Sequence, residues 1–209
     1  MIFNLGETML ANLALFLALI STQATAAEVA PQTQTIVFVR HGEKQAGGLG
    51  QLECQGLNRS LALPAVIAKK FDKTLAIFAP TPARQRDDNG QSYNYVRPLA
   101  TIEPTAIALG MPVNADYKAS DTRGLEAALK RPSLANGTVL VAWEHRLIVQ
   151  IVRDIVAAHG GNASAVPKWK GDDFDSIYLV RIVSGATKTV SFERDQEGLN
   201  GQSAICPGR

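Results

Sequence analysis

The chain has 209 residues, 46% of them hydrophobic and 19% charged. That balance excludes a disordered or fibrous chain and suits one ordinary globular domain. Its formal net charge of +2 is too mild, and its Lys and Arg residues too scattered, for a nucleic-acid-binding surface.

In chain order, Met9–Ile20 comes first, a predominantly apolar run of 12 residues, short of the ~17–25 that a membrane-spanning helix needs. Ala24-Thr25-Ala26 follows as a small-residue cleavage site. The expectation is a signal peptide over residues 1–27, cut after Ala26 or Ala27, and a mature chain in the periplasm or outside the cell with no membrane span after processing. One feature is at odds: the leader has no Lys or Arg and carries Glu7, an objection that a start at Met9 would remove. Loss of Glu7 leaves 21 basic against 18 acidic residues, a formal +3. Export favours pairing Cys54 with Cys206 in a disulfide.

Thr35–Arg40 reads as a first strand, and the Gly-rich Ala46–Gln51 as a turn, since it lacks the Lys-Ser/Thr of a phosphate-binding loop. Gly56–Phe71 reads as a helix with Leu57, Leu61, Val66 and Ile67 near one face and a kink at Pro64. Thr74–Pro80 is a second buried strand. Residues 81–96 are polar and turn-rich, an unpatterned specificity loop. Helices follow at Pro98–Leu109, stopped by Gly110, and at Asp121–Lys130, capped by Asp121.

Thr138–Trp143 is a third apolar strand, followed by a helix from Glu144 that glycines close. "SIYLVRIV" and "TKTVSFE" form a hairpin around Ser184-Gly185. Alternating strands and helices without a repeat or an inter-domain linker predict one domain over 28–209. Its fold class is α/β, a three-layer α/β/α sandwich with a mostly parallel central sheet.

Ligand sites in such sheets lie beyond the carboxyl ends of the strands. His41 follows the first strand and His145 the third. If these strands are neighbours, both imidazoles face one pocket, with Arg40 beside them and Arg97 at the start of the helix after the second strand. Two Arg and two His make an anion pocket, and the matching ligand is a phosphate. A histidine near two guanidiniums is held neutral, so His41 can act as a nucleophile. Arg40, Arg97 and His145 would neutralise the phosphoryl oxygens, and Gly42 would admit the backbone close to the phosphate. No metal or other cofactor is required.

"VRHGEK" resembles the Arg-His-Gly-Glu signature of the histidine phosphatase superfamily, the phosphoglycerate mutase-like proteins. "YVRPLATIEPTAIALG" resembles that family's second-arginine helix, "VLVAWEH" its second-histidine strand, and "DDFDSIYLVRI" the closing strand of its small bacterial members. The resemblance spans roughly residues 35–183. It implies a phosphohistidine on His41, a pocket of Arg40, Arg97 and His145, and a small phosphate ester as substrate. Phosphorylated surface sugars, as for the family's lipopolysaccharide core heptose phosphatases, fall within that class. A catalytically silent phosphate-binding module of the same fold is the alternative.

Two departures matter: Ala79-Pro80 stands where the family often has Ser-Pro, and Arg146 where it has Gly or Asp. The missing Asp leaves the proton donor to another carboxylate, for which an alkoxide leaving group creates a need. The segment between Arg97 and His145 offers Asp116, Asp121 and Glu126, with Asp121 the first choice. Glu144 is next, although strand alternation points it away from His145's side.

Other chemistry-bearing residues have plainer readings. Glu43 is a support for Arg40 or His41, and Arg84 and Arg86 compete with Arg97 for its position. His159 is a partner for a helix end. Asp172–Asp175, "DDFD", is a solvated acidic turn lacking the pattern of a calcium loop. Trp143 and Trp169 are packing residues.

Overall fold

The run Ile36-Val37-Phe38-Val39 is apolar at every position because both faces of its strand are covered. Ile36 and Phe38 enter one core and Val37 and Val39 a second, on opposite sides of the same sheet. The structure is a computed structural model and describes residues 30–185 and 187–208; the leader expected at 1–27 lies outside the described residues.

Among the described residues, eight strands and four α-helices follow one another. The central sheet has six strands in the order β5-β2-β6-β1-β7-β8. The parallel set is β5 (Val113–Asn114), β2 (Thr74–Phe78), β6 (Gly137–Trp143) and β1 (Gln32–Arg40). The hairpin β7 (Ser176–Ser184) and β8 (Thr189–Gln196) continues the sheet antiparallel. Helices α1 (Cys54–Lys70) and α2 (Arg97–Leu109) cover one face, contributing Leu63, Ile67, Ile102 and Ala106 to its core. Helices α3 (Thr122–Leu129) and α4 (His145–Ala158) cover the other, with Leu125, Leu129, Ile148, Ile151, Val152 and Ile155. This is the expected α/β/α sandwich.

Local expectations hold at several ends. Gly110 closes α2 in the left-handed region, at φ 63°, where a glycine avoids the Cβ penalty. Asp121 caps α3, accepting from the Gly124 amide at 3.0 Å. His159 ends α4, its Nδ1 on the Ile155 carbonyl at 2.8 Å. Trp143 and Trp169 are packed, the first donating to the Ala119 carbonyl and the second stacked on Tyr178. Cys54 and Cys206 form the expected disulfide, tying the first residue of α1 to the C-terminal segment.

Three expectations fail. Residues 81–96 are not an unpatterned loop: they hold a second, two-stranded sheet, β3 (Gln85–Asp88) and β4 (Gln91–Asn94). Asn89 (φ 63°) and Gly90 (φ 81°) turn it, the positive-φ pair that suits a two-residue hairpin. The inward face of α1 is Gly56, Arg59, Ser60, Leu63 and Ile67, whereas Leu57 and Leu61 are exposed. A buried Arg59 displaced the apolar stripe that hydrophobicity alone picks out.

The third failure is the acidic segment 172–175, which is not a solvated turn. Asp175 is buried against Arg59. Asp173 accepts from the amides of Asp175 and Ser176 and from the Ser176 hydroxyl.

Candidate active site

β1 and β6 are parallel neighbours with Arg40 opposite Trp143. The residues after each strand end therefore meet at one sheet edge. His41 continues β1, its amide donating to the Trp143 carbonyl at 3.1 Å. Glu144 leaves β6 as the N-cap of α4, and His145 is the first helical residue. Arg97 arrives at the same rim as the first residue of α2.

A cavity of about 400 Å³ opens there, and its walls include Arg40, His41, Arg97 and His145. These four residues, assigned to one pocket from sequence, do share one.

Each is held by its surroundings. His41 is 3% exposed, and its Nδ1 lies 2.8 Å from the Gly42 carbonyl. A carbonyl only accepts, so Nδ1 carries the proton and Nε2 keeps its lone pair. Burial, then Arg97 and Arg40, lower the His41 pKa to about 3, against the opposing pull of the Gly42 carbonyl. His41 is therefore neutral, as the sequence predicts, but desolvation outweighs the guanidiniums as the reason.

Arg40 lies against the ring of Phe174 at 3.8 Å. Its Nη1 donates to the carbonyls of Lys170, Gly171 and Asp173. Burial lowers it to about 10, which leaves it cationic at neutral pH. The segment from Lys170 to Phe174 is thus a cradle for Arg40, a role no sequence signal announces.

Arg97 pairs with Asp88 of β3. Asp88 also takes Lys44 at 2.8 Å. These two cations bring Asp88 to about 2 although its burial acts the other way.

Glu144 is where alternation fails. It belongs to the turn after β6, not to the strand, so it faces the cavity. Its Oε1 is 2.8 Å from His145 Nδ1. Burial would raise Glu144, but His145 and the amides of Arg146 and Leu147 bring it down to about 2.

The other donor candidates are elsewhere. Asp121 is exposed and committed to capping α3. Asp116 is exposed and hydrogen-bonded to Asn114. Glu126 lies on α3, raised by burial and by Asp154. None of the three lines the cavity.

Gly42 also needs correction, since it is absent from the cavity wall. Its amide donates to Thr101 Oγ1 at 2.9 Å, and a Cβ there would stand 3.0 Å from Gly56 of α1. Its smallness lets a helix approach, not a phosphate. Glu43 makes no direct hydrogen bond to Arg40 or His41: it binds Arg59 through both oxygens, and only its charge acts on Arg40. Arg59 also holds Asp175 and Glu197, buried beneath the site.

The structure adds Lys44, Arg86, Asp87, Tyr95 and Arg146 to the wall. Arg86, Asp87 and Tyr95 come from the hairpin region, and the Asn-Gly turn was the signal that could have placed them there. Seven buried side-chain nitrogens or oxygens lack a partner among the described residues. Four of them, leaving aside the His145 Nδ1 that faces Glu144, belong to residues of this wall: Arg40 Nε, Arg86 Nη1, Tyr95 Oη and Arg97 Nε. Unmet donors gathered around one opening suit an anion. Among the described residues no group of His, Cys, Asp and Glu side chains has a metal-binding arrangement.

No family model and no curated protein sequence matches the chain. Solved structures do resemble it. A mycobacterial hydrolase superposes with TM-score 0.53 at 14% identity, over 78% of this chain and 90% of that one. A mycobacterial glucosyl-3-phosphoglycerate phosphatase gives TM-score 0.51 at 14% identity, over 78% and 97%. Its complex with inorganic phosphate gives 0.50 at 16% identity, over 77% and 95%. The chain thus shares the fold of these solved structures.

Proposed function

We propose that the chain is an exported phosphomonoesterase of the histidine phosphatase superfamily, hydrolysing small phosphate esters through a phosphohistidine on His41. The observation that carries this reading is the state of His41: buried, neutral, protonated on Nδ1 toward Gly42, and set among Arg40, Arg97 and His145. Nε2 attacks phosphorus, forming a P–N bond as the P–O bond to the alcohol breaks. Water then attacks phosphorus, the P–N bond breaks, and inorganic phosphate leaves. Arg40, Arg97 and His145 stabilise charge on the transferring phosphoryl group.

The leaving oxygen needs a proton when it is an alkoxide. Glu144 is held ionised by its neighbours and is fitted to pair with His145, not to donate. Asp87, exposed on the cavity wall, is the other carboxylate there among the described residues, and we assign it as donor. Water returns the proton in the second step.

Export is supported by the Cys54–Cys206 disulfide, which suits an oxidising compartment, together with the leader expected at residues 1–27. No helix among the described residues is long and apolar enough to cross a membrane.

Glu144's ionised state also favours a second reading, a silent phosphate-binding module with no donor in place. Incubation with a phosphate-labelled ester, followed by alkaline quench, separates the two. The esterase leaves base-stable label on His41 and turns over an alkyl phosphate. Label without alkyl turnover means a binding module. Hydrolysis by His41→Ala at the wild-type rate would falsify the phosphohistidine step.

A further inference from the structure

His41 and Arg97 stand on different elements, one just past the tip of β1 and the other at the start of α2. In-line attack by one on a phosphate held by the other depends on the spacing between them. A single buried hydroxyl bridges the two elements. Thr101 lies one turn after Arg97 on α2 and is fully buried. Its Oγ1 accepts from the Gly42 amide at 2.9 Å and donates to the Arg97 carbonyl at 2.8 Å. The hydroxyl's one proton is therefore spent on the helix and a lone pair on the strand tip.

His41 is tied to the same bonds. The Gly42 amide belongs to the peptide that follows His41, and the Gly42 carbonyl lies 2.8 Å from the imidazole Nδ1. The backbone at this point is clamped from two sides. The His41 amide donates to the Trp143 carbonyl of β6 at 3.1 Å, and the next amide reaches α2 through Thr101. The start of α2 is fastened as well, since the Val96 and Arg97 amides both donate to the Gly50 carbonyl at 3.1 Å. Thr101 thus joins two segments that are each anchored elsewhere.

Thr105 separates this role from helix packing. It sits one further turn along α2, equally buried, and its Oγ1 has no hydrogen-bond partner among the described residues. Burying a threonine on this face does not by itself bring two good hydrogen bonds. Those of Thr101 come from its position level with Gly42.

We propose that Thr101 is a positioning residue for phosphoryl transfer, setting the distance between the His41 imidazole and Arg97 through the Gly42 peptide. This rests on the reading that His41 attacks a phosphate held by Arg97. Thr101 is absent from the cavity wall, so it acts through these neighbours and not on the substrate.

Thr101→Val keeps the branched shape and removes both bonds, leaving the Gly42 amide unpaired. Thr101→Ser keeps the hydroxyl, and Thr105→Val is the matched control. Two measurements are made well below each variant's melting temperature. One is kcat and KM on para-nitrophenyl phosphate. The other is calorimetric affinity for orthovanadate, which takes the trigonal-bipyramidal geometry of phosphoryl transfer and needs no turnover. In Thr101→Val the expected kcat is lower by about a hundredfold, the scale of a misplacement of ~1 Å. KM changes far less, and vanadate affinity falls alongside kcat. Thr101→Ser and Thr105→Val match wild type in both measurements. If Thr101→Val does not fold, Thr101→Ala against Thr101→Ser asks the same question, since both lose the methyl and only one the hydroxyl.

A lower melting temperature in Thr101→Val with kcat and vanadate affinity intact overturns this inference and leaves the esterase reading in place. An equal loss in Thr101→Ser, which assigns the effect to bulk, or in Thr105→Val, which assigns it to helix packing, does the same. A wild-type chain that hydrolyses no ester, yet loses vanadate affinity in Thr101→Val and keeps it in Thr101→Ser, overturns the esterase and upholds the positioning role. Wild-type protein that neither hydrolyses an ester nor binds vanadate overturns both.

Discussion

Glu144 Oε1 stands 2.8 Å from His145 Nδ1 at the mouth of α4, on the wall of the cavity that also holds His41. A carboxylate there fixes which nitrogen of the neighbouring imidazole faces the opening. Glu144→Gln keeps an oxygen to accept from the Leu147 amide, so the cap survives, but it removes the charge. The expected outcome is a kcat on phosphate esters lower by roughly a hundredfold, the scale for losing one transition-state donor, with a melting temperature near wild type. A variant that matches wild-type kcat would show that Glu144 serves the helix end alone.

Asp87 separates two kinds of leaving group. A phenolate such as para-nitrophenolate leaves without much protonation, whereas an alkoxide does not. Asp87→Asn should lower kcat/KM for an alkyl phosphate by about a hundredfold and that for para-nitrophenyl phosphate far less. Parallel losses on both esters would remove Asp87 from the donor role.

The legibility of this site follows from which contacts are local. His41 and His145 could be placed together because apolar runs ending at them had to be buried parallel strands, and the β1–β6 register confirms the juxtaposition. Asp121 was legible as a cap from its position before a helix, and that same commitment removes it from the donor role. Glu144 was misplaced because alternation holds only inside a strand, and β6 ends at Trp143.

Arg59 was invisible for another reason. It is a mid-helix cation whose partners, Glu43, Asp175 and Glu197, come from three distant segments. Its burial is a property of the assembled fold, and hydrophobicity pointed to Leu57 and Leu61 instead. The Arg40 cradle has the same non-local origin. The hairpin is different: Asn89-Gly90 was present in the sequence, and only the polarity of its flanks disguised the strands.

Stability should depend on pH through His41. Its pKa falls from 6.5 in an unfolded chain to about 3 in the fold. The unfolded chain therefore binds more protons between those values, and stability rises with pH across that window. Asp88 and Glu144, each held at about 2, add losses below pH 4.5. Glu197 works oppositely: burial, with Asp175 and Glu43, raises it to about 8 despite Arg59, so its contribution is lost as pH rises from 4.5 to 8. Between pH 4.5 and 6.5 the two oppose one another, so thermal melts across that window should give a melting temperature that falls with rising pH more steeply in His41→Asn than in wild type. An unchanged slope in that variant would place the titration elsewhere.

Two glycines should respond unequally to the same methyl group. A Cβ on Gly56 would lie 2.3 Å from the Glu43 carbonyl oxygen and 2.7 Å from its nitrogen, both backbone atoms. Gly56→Ala must therefore push α1 away from the segment that follows His41, at about 3 kcal/mol or more. On Gly42 the nearest atoms are 3.0 Å away, a tighter than ordinary contact that a small shift relieves, so Gly42→Ala should cost about 1–2 kcal/mol. Denaturant midpoints give the order, and a Gly42 variant less stable than the Gly56 variant would contradict the close approach described here.

The Cys54–Cys206 bond closes a loop with a sequence separation of 152, and it fastens the tail just beyond Glu197 and Asn200, which bind Arg59. In the chain-entropy model a loop of that size contributes about 5 kcal/mol by limiting the unfolded ensemble. Cys54→Ser with Cys206→Ser should therefore lower the melting temperature by roughly 10 °C or more, and reduction of the wild type should reproduce the shift. The two perturbations act on one bond, so adding reductant to the double variant should change nothing further. Because the site is built on β1, β6 and α4 rather than on the tail, kcat at low temperature should hold near wild type in the double variant. A large loss of kcat with the melting temperature unchanged would mean that the C-terminal segment shapes the cavity directly, through Arg59 and Glu43, rather than only stabilising the fold that carries it.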